Sequence, residues 1–400
     1  MAIAIVGLLV VAGPGSEPMV QAAKEPPVVK ALLDKLAVQF GSRPTYKRLK
    51  KAKDGTITIR SLTTEPTAPA GAALNPKTVL SIGEVTLRGI EARPDGVFDI
   101  TEAKLSSVLL ISDDGTDVTG AFRAPEVVYE HYYVAPVSPA PAASERLLAL
   151  GNLAGKTAIK GGVLSFGGLS LHIGAWQSTW VGEPLSGAGN YTLRIEGIRL
   201  PATIVSRIDP NGHLEELVGG GDLVFDFTAS GVGKIINDVH GGAIEGTITL
   251  ESLGTLRFSA GFDGVSEALR AQFKSPSLPR WRTLEPLLAS VTINGVSARF
   301  EDLSLTRKLM SLFTTQRGLD EPAMIATAAS AVQFSKNDLR MQIFNERLNA
   351  AVREFLADPK SLSIRSQPAE PIKLGKLLLS LGNDPGAVVE VVNPTIWVNN

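Results

Sequence analysis

The chain has 400 residues, of which 44% are apolar and 20% charged, a composition that is typical of well-folded globular protein and argues against extensive disorder. Its 39 basic and 40 acidic side chains nearly cancel, so the overall charge gives no argument for nucleic-acid binding. The absence of cysteine excludes thiolate catalysis, disulfides and cysteine-ligated zinc or iron–sulfur sites.

Residues 1–23 predict a secretory signal peptide. An unbroken run of apolar and small residues extends from Ala2 to Ala12, and Val20 and Ala22 occupy the two positions that a signal peptidase inspects, so cleavage is expected near Ala22/Ala23. This run is short for a membrane-spanning helix, which needs about 20 residues. An N-terminal strand or an uncleaved anchor is the alternative, because no basic residue precedes the run. We therefore expect a periplasmic mature protein that is soluble or peripheral to the membrane.

A helix and then a basic segment are predicted after the cleavage site. Apolar residues at 29, 32, 33, 36 and 40 have helical spacing, and Gly41 ends the pattern. The basic segment would attract anionic headgroups, phosphates or an acidic partner, whereas the simpler interpretation is a solvated loop before a strand over 56–59. Its basic residues are Arg43, Lys47, Arg48, Lys50, Lys51 and Lys53.

Strand patterns dominate the middle of the chain. Segments rich in proline at 63–76 and 135–141 predict a linker and a domain boundary near 140. Between Thr247 and Phe262 the apolar residues alternate with polar ones, which indicates two half-buried strands with a bend at Leu253-Gly254. Other strands are predicted at 97–100, 105–111, 162–166, 170–173, 189–200, 222–228 and 290–300, and short helices at 214–218 and 232–239.

Three of these strands share a slip in their apolar alternation. In 85–90, 191–198 and 291–296, apolar residues hold odd positions up to a glycine and even positions after it. Side chains alternate faces along a strand, so the slip requires a bulge or a tight turn at Gly89, Gly197 and Gly295. A two-residue hairpin at Asn294-Gly295 would explain the third slip equally well. The spacing of the three glycines suggests an internal repeat.

The last quarter of the chain changes to helical composition. Helices are predicted over 303–316, 322–356 and 371–381, with a strand over 361–366. The sequence therefore predicts an α+β fold, rich in β-structure, with large twisted antiparallel sheets, amphipathic strands and helices concentrated in the C-terminal quarter. The expected organisation is a signal peptide (1–23), a helix plus β region (24–140), a β-rich region (141–300) and a mainly helical region packed on the sheet (301–400).

No motif in the chain predicts a catalytic or metal site. The segment Gly151–Thr157 resembles a P-loop but has one residue too few between its glycines, and His213–Leu217 lacks the second histidine of a zincin helix. The four histidines, at 131, 172, 213 and 240, have no metal-ligand spacing. We therefore expect no enzymatic activity, no cofactor and no metal.

The strand rhythm resembles that of AsmA-like bacterial envelope proteins. The resemblance rests on Leu80–Ile90, Asp95–Ile100 and Ala103–Leu105 and extends over scattered strands between about 80 and 300. It implies an exported or envelope-anchored protein whose long, curved sheet holds lipid chains on an apolar inner face. The C-terminal helices and the small size depart from the larger members of that family. In composition the chain is also similar to uncharacterised exported proteins of alphaproteobacteria.

These observations predict a non-enzymatic periplasmic envelope protein that binds lipid or another apolar ligand along a sheet groove. The first alternative is an envelope scaffold that binds another protein through a sheet edge or the aromatic residues Tyr129–Tyr133, with no small ligand. The second is a hydrolase with a dispersed site. We expect no nucleic-acid partner, and peripheral membrane contact through the basic segment. The groove residues are expected to be Leu193, Ile195, Phe225, Phe227, Leu256, Phe258 and Phe262, although packing under the C-terminal helices would bury the same residues.

Overall fold

The computed structural model describes fourteen stretches of the chain, and the signal peptide, most of the linker at 63–76 and the boundary near 140 lie outside them. The described residues up to Arg199 form one compact unit, and those from Leu200 onward form a second. The described stretches are 25–40, 42–64, 77–94, 96–113, 119–134, 154–182, 189–208, 212–236, 239–266, 268–269, 281–331, 339–368, 370–383 and 385–400.

The first unit is an antiparallel meander with a helix packed on it. Each strand pairs with the next along the chain, from β1 to β8. Its elements are α1 (Pro27–Phe40), β1 (Arg48–Lys51), β2 (Ile57–Thr63), β3 (Lys77–Ala92), β4 (Phe98–Asp113), β5 (Thr119–Val134), β6 (Ala154–Phe166), β7 (Leu169–Gly182) and β8 (Gly189–Leu200).

The second unit combines an antiparallel sheet with most of the helices. Its strand order is β9-β10-β11-β12-β13-β15, and β14 pairs with β12. The fold is therefore α+β and rich in β-structure, with helices mainly in the C-terminal part, as predicted. The elements are α2 (Ala202–Ile208), α3 (His213–Val218), β9 (Leu223–Ile236), β10 (Val239–Leu250), β11 (Gly254–Ser266), α4 (Trp281–Leu288), β12 (Thr292–Asp302), α5 (Leu305–Arg317), α6 (Glu321–Ala331), α7 (Leu339–Ala357), β13 (Ser361–Ser366), β14 (Ile372–Lys373), α8 (Leu374–Asn383), α9 (Pro385–Val392) and β15 (Pro394–Val398).

Helix α1 supplies one side of the core of the first unit. It packs against β3 and β5, and its residues Val29 and Leu33 are completely buried. Facing them are Ile59 of β2, Leu87 of β3 and Ile100 of β4, which are equally inaccessible. Full burial of one such side chain contributes about 1.5–3 kcal/mol, so this layer holds the helix on the sheet. The helical spacing read from the sequence is confirmed.

Two transverse rows of irregular residues cross the sheet of the first unit. At each row the strand pairing skips one residue on both partners, or two between β5 and β6 at the first row, and the register beyond the row is unchanged. Alternate members of each row have a left-handed backbone, for example Ser61, Ser107 and Gly197. The first kink row is Ser61, Gly83, Ser107, Pro125, Gly161, Gly174 and Gly197, and the second is Gly89, Thr101, His131 and Gly155.

These rows explain the slips in apolar alternation. Gly89 and Gly197 both have a φ of 60°, a conformation that glycine adopts without steric cost. Across Gly197, Ile195 and Ile198 are three residues apart and yet both are buried. The third slip has a different cause, because Asn294 is an extra residue in β12 and forms a bulge opposite β11. The bulge excludes the alternative hairpin at Asn294-Gly295.

The prediction of a helix over 232–239 is wrong. Strand β9 continues to Ile236, and β10 begins at Val239, so that Gly233 pairs with Gly242 and Lys234 with Gly241. Glycine and β-branched residues in this segment have low helix propensity, and pairing with β10 extends the strand. The sequence also predicted separate strands at 97–100 and 105–111, whereas the structure has one continuous strand there, β4.

The remaining C-terminal expectations are confirmed in outline, except that Ile372 and Lys373 form the short strand β14, so the helix predicted from 371 begins at Leu374 as α8. Helix α5 and strand β13 match the predicted segments, and α7 ends at Ala357, immediately before Asp358-Pro359. The segment predicted as helical over 322–356 contains α6 and α7.

Candidate functional site

One face of the sheet in the second unit is almost entirely apolar. Directly opposite residues of antiparallel strands share a face, and the pairs Ile248–Leu256, Leu256–Phe300 and Phe300–Leu362 continue across four strands. The residues of this apolar face are Phe225, Phe227, Ala229, Ile244, Ile248, Leu250, Leu256, Phe258, Ala260, Phe262, Ile293, Val296, Ala298, Phe300, Leu362, Ile364, Ile396 and Val398.

The opposite face of the same strands is polar and internally paired. Ser259 and Ser297 share a hydrogen bond of 2.7 Å, and Arg299 donates to Glu301 at 3.0 Å. Arg257 also pairs with Glu301. Hydrogen bonds from these two guanidinium groups hold the pKa of Glu301 below its usual value. The sheet of the second unit therefore has one polar, solvated face and one apolar face.

Part of the apolar face remains accessible. Ile244 and Leu256 are each 36% exposed, Ile364 is 41% exposed and Val296 is 43% exposed. These four residues lie on the neighbouring strands β10, β11, β13 and β12. With strands about 4.8 Å apart, this accessible band extends roughly 14 Å across the sheet. Its residues occupy three successive rows of the register, namely Ile244 with Val296, then Ile364, then Leu256 opposite Phe300. Isolated exposed aliphatic residues are ordinary, whereas four on one face form a candidate binding surface.

Two glycines allow phenyl rings to lie against the sheet. A side chain added at Gly246 would overlap the ring of Phe258, and one added at Gly254 would come within 2.8 Å of the ring of Phe300. The two rings thus rest over backbone instead of projecting from the surface.

Helix α7 covers one end of the apolar face. The ring of Phe355 meets that of Phe300 edge to face, with centroids 6.2 Å apart and planes inclined by 72°. Phe355 is 7% exposed, and α7 also packs against β13 and β15. Helix α7 therefore covers the face at Phe300 in part, since Phe300 itself is half-buried, and leaves the four aliphatic residues accessible.

The predicted groove residues fall in two places. Phe225, Phe227, Leu256, Phe258 and Phe262 all belong to the apolar face of the second unit. The other two lie on β8 in the first unit and are enclosed, with Leu193 5% and Ile195 3% exposed. The sequence missed Ile244, Val296 and Ile364. Alternation along β10 and β13 would have found two of them, and the phase slip in 291–296 was visible but was not used to assign Val296 to a face.

The basic segment lies at an edge of the sheet of the first unit. Arg48, Lys50 and Lys51 are in β1, and Lys47 and Lys53 flank it. All five of these side chains are exposed. Arg43 differs from them, because its guanidinium group pairs with Glu25 at 2.6 Å and with Asp34 at 3.1 Å.

A buried lysine, which the sequence did not single out, lies under α1. Lys35 is 2% exposed, and its ammonium group donates to the hydroxyl of Tyr132. Tyr132 in turn stacks on Tyr129, with ring centroids 5.0 Å apart. Burial lowers the pKa of Lys35 to about 8 and raises the pKa values of both tyrosines. The helical pattern contained the signal, since Lys35 follows Val28 and Leu32 along the apolar stripe.

The aromatic residues near Tyr129 do not form the exposed surface that the scaffold alternative invoked. Tyr132 is 7% exposed and belongs to the core under α1, and Tyr129 packs against that core. Tyr133 lies under the guanidinium group of Arg93, 5.9 Å from it. In this segment His131 is the exposed ring.

The described residues of the motifs that resembled catalytic ones lie in regular secondary structure. Gly155, Lys156 and Thr157 are part of strand β6, where Lys156 pairs with Glu130 at 2.6 Å. His213 begins α3, and its Nδ1 lies 2.9 Å from Nε2 of Gln316. In the described stretches, no three histidine, aspartate or glutamate side chains are grouped as metal ligands.

A cleft of about 510 Å³ lies between α5 and the end of α7, and Arg307 and Glu321 are among the residues that line it.

Comparison with known proteins gives one family match. A family model described as "Uncharacterized protein" matches residues 247–399. The matched range begins in β10 and ends just after β15, so it includes most of the apolar face and α7. No curated protein matches the chain. None of the helices in the described residues combines the length and apolar character needed to cross a bilayer.

Proposed function

We propose that the protein is a non-enzymatic periplasmic envelope protein that binds the acyl chain of a lipid along the apolar face of its second unit. The observation that supports this most directly is the accessible band formed by Ile244, Leu256, Val296 and Ile364. None of these side chains carries a polar atom, so an acyl chain would meet hydrocarbon along the band. A polar ligand would lose hydrogen bonds to water there without replacement.

The position of α7 favours an elongated ligand over a globular partner. Phe355 already covers the face at Phe300, so a helix borders the remaining accessible band on one side. An acyl chain is thin and flexible enough to lie in such a band. Each methylene that it buries contributes about 0.8 kcal/mol, so a long chain reaches useful affinity without polar contacts.

The test uses the natural absence of cysteine, because one engineered cysteine gives a single labelling site. Leu256→Cys places an environment-sensitive fluorophore on the apolar face, and Thr255→Cys places it on the polar face one residue away. Added fatty acid or phospholipid should shift the emission of the first label to shorter wavelength and leave the second unchanged. Native mass spectrometry of the unlabelled protein should show bound lipid at a defined stoichiometry.

Two results would overturn the proposal. The first is equal response of both labels, which would indicate general adsorption to lipid. The second is a bare protein in native mass spectrometry together with no response at Leu256→Cys. A stable protein partner recovered in that second case would favour the scaffold alternative.

A further inference from the structure

The edge of β1 carries a concentration of cations without acidic partners. Strand β1 is the terminal strand of its sheet and pairs with β2 alone among the described strands. Lys47, Arg48, Lys50, Lys51 and Lys53 lie within seven residues along this edge. None of the five pairs with an acidic side chain anywhere in the described part of the chain.

The electrostatic environment of this edge is unfavourable within the protein itself. Arg48 lies directly opposite Arg60 in the register, an arrangement in which like charges repel. The nearby carboxylate of Asp54 accepts a hydrogen bond from the backbone of Thr56 at 3.0 Å, and hydrogen bonds from that residue lower its pKa. Arg60 is itself paired with Glu84 at 2.8 Å.

Four cations on the neighbouring strands of the same sheet show the opposite pattern. Cation and carboxylate alternate across these strands in a ladder of ion pairs, so these four cations are neutralised locally. The pairs are Arg60–Glu84, Arg88–Glu102, Lys104–Glu126 and Lys156–Glu130. These four cations are thus paired, whereas none of the five at the β1 edge is.

We propose that the β1 edge docks on the surface of a bilayer that contains anionic lipids. Strand β1 is extended over roughly 10 Å, with Lys47 at a bend before it and Lys53 in the turn after it. The five exposed cations therefore lie close together at one projecting edge, which meets a flat, negatively charged surface better than a concave site. Residues 47–53 include no aromatic side chain, whereas proteins bind single-stranded nucleic acids by aromatic stacking as well as by charge. The proposal goes beyond the apolar ligand and does not depend on it.

The experiment measures co-sedimentation with phosphatidylcholine vesicles, with and without phosphatidylglycerol. The edge variant carries Lys47→Gln, Arg48→Gln and Lys50→Gln. The control variant carries Arg88→Gln, Lys104→Gln and Lys156→Gln on the ion-pair ladder. Both variants lose three positive charges, so they have the same net charge. Each surface cation changes the partition coefficient about fivefold, and the edge variant should therefore bind anionic vesicles about 100-fold more weakly.

The expected result for the unmodified protein is binding to anionic vesicles that weakens as salt is added, and no binding to pure phosphatidylcholine. The control variant should retain most of this binding. Equal loss in both variants would overturn the proposal, because net charge alone would then govern binding. Tighter binding to a single-stranded oligonucleotide than to vesicles would also overturn it. Failure of the unmodified protein to bind anionic vesicles would overturn it as well. Aggregation of the edge variant in that case would indicate that the lysines serve to block edge pairing.

Discussion

The ammonium group of Lys35 lies 3.3 Å from the hydroxyl of Tyr132 and 4.8 Å from the centre of the same ring. One aromatic side chain thus contacts the cation through both its hydroxyl and its π-system. Contacts of this kind offset part of the cost of removing an ammonium group from water, but burial still lowers the pKa of Lys35 to about 8.

The buried lysine makes the stability of the protein depend on pH. An unfolded lysine has a pKa near 10.4, so between about pH 8 and about pH 9.5 the unfolded chain retains a proton that the folded chain has released. The free energy of unfolding should therefore rise with pH over this window. Above about pH 10 the effect reverses, because burial raises the pKa of Tyr129 and Tyr132 and their unfolded forms ionise first.

Replacing Lys35 by methionine should remove this dependence. Lys35→Met should increase the free energy of unfolding at neutral pH by on the order of 1–3 kcal/mol and flatten the rise above about pH 8. Lys30→Met, on the exposed side of the same helix, is the control and should change neither. Urea denaturation at several pH values measures both effects. Destabilisation by Lys35→Met at neutral pH would show that the contacts to Tyr132 outweigh the cost of burial.

The contact between Phe355 and Phe300 should dominate the attachment of α7. Phe355→Ala leaves a cavity at a site that is 7% exposed, and we expect a loss of about 3–5 kcal/mol in the free energy of unfolding. Ile343→Ala on the same helix removes a side chain that is 44% exposed, and should cost less than about 0.5 kcal/mol. Thermal and chemical denaturation of both variants distinguish them. Similar losses would contradict a specific role for the ring pair.

The close approach of strands at the second kink row is tested at Gly89. Its φ is 60°, and an added Cβ would overlap the side chain of Thr101. Gly55 also has a positive φ, 84°, but has open space around it. Gly55→Ala should cost about 1–2 kcal/mol from the backbone alone, and Gly89→Ala about 1–3 kcal/mol more from overpacking. Equal costs in denaturation experiments would show that Thr101 moves aside freely.

The sequence predicted the strands best where polar and apolar residues alternate, as in β8 and β11. It failed at 232–239, where several glycines and short apolar residues carry no clear period and pairing with β10 determines the structure. Phase slips at Gly89 and Gly197 were visible in the sequence. The alignment of these slips with those at Ser61 and Ser107 could not be read from the sequence. Serine rarely adopts the left-handed backbone that it has at both positions, and register is a property of strand pairs.

The candidate site was predicted in part. Alternation identified Leu256 and Phe258 as members of one face, since faces follow from period alone. It did not separate the covered residues from the accessible ones, because the cover comes from α7, which is distant in sequence. Charge counting identified the basic segment, but only the structure shows that Arg43 is neutralised by Glu25 and Asp34.

The first kink row constrains how the chain tolerates insertions and deletions. Each of the seven strands from β2 to β8 contributes its own additional residue to the row, and the register is therefore the same on both sides. Deleting Ser61 alone would turn Leu62 from the core to solvent and shift the remaining pairs of β2 by one residue. A change of length inside one strand is thus compatible with the sheet only if its neighbours change in the same row, whereas the turns between strands are free of this requirement.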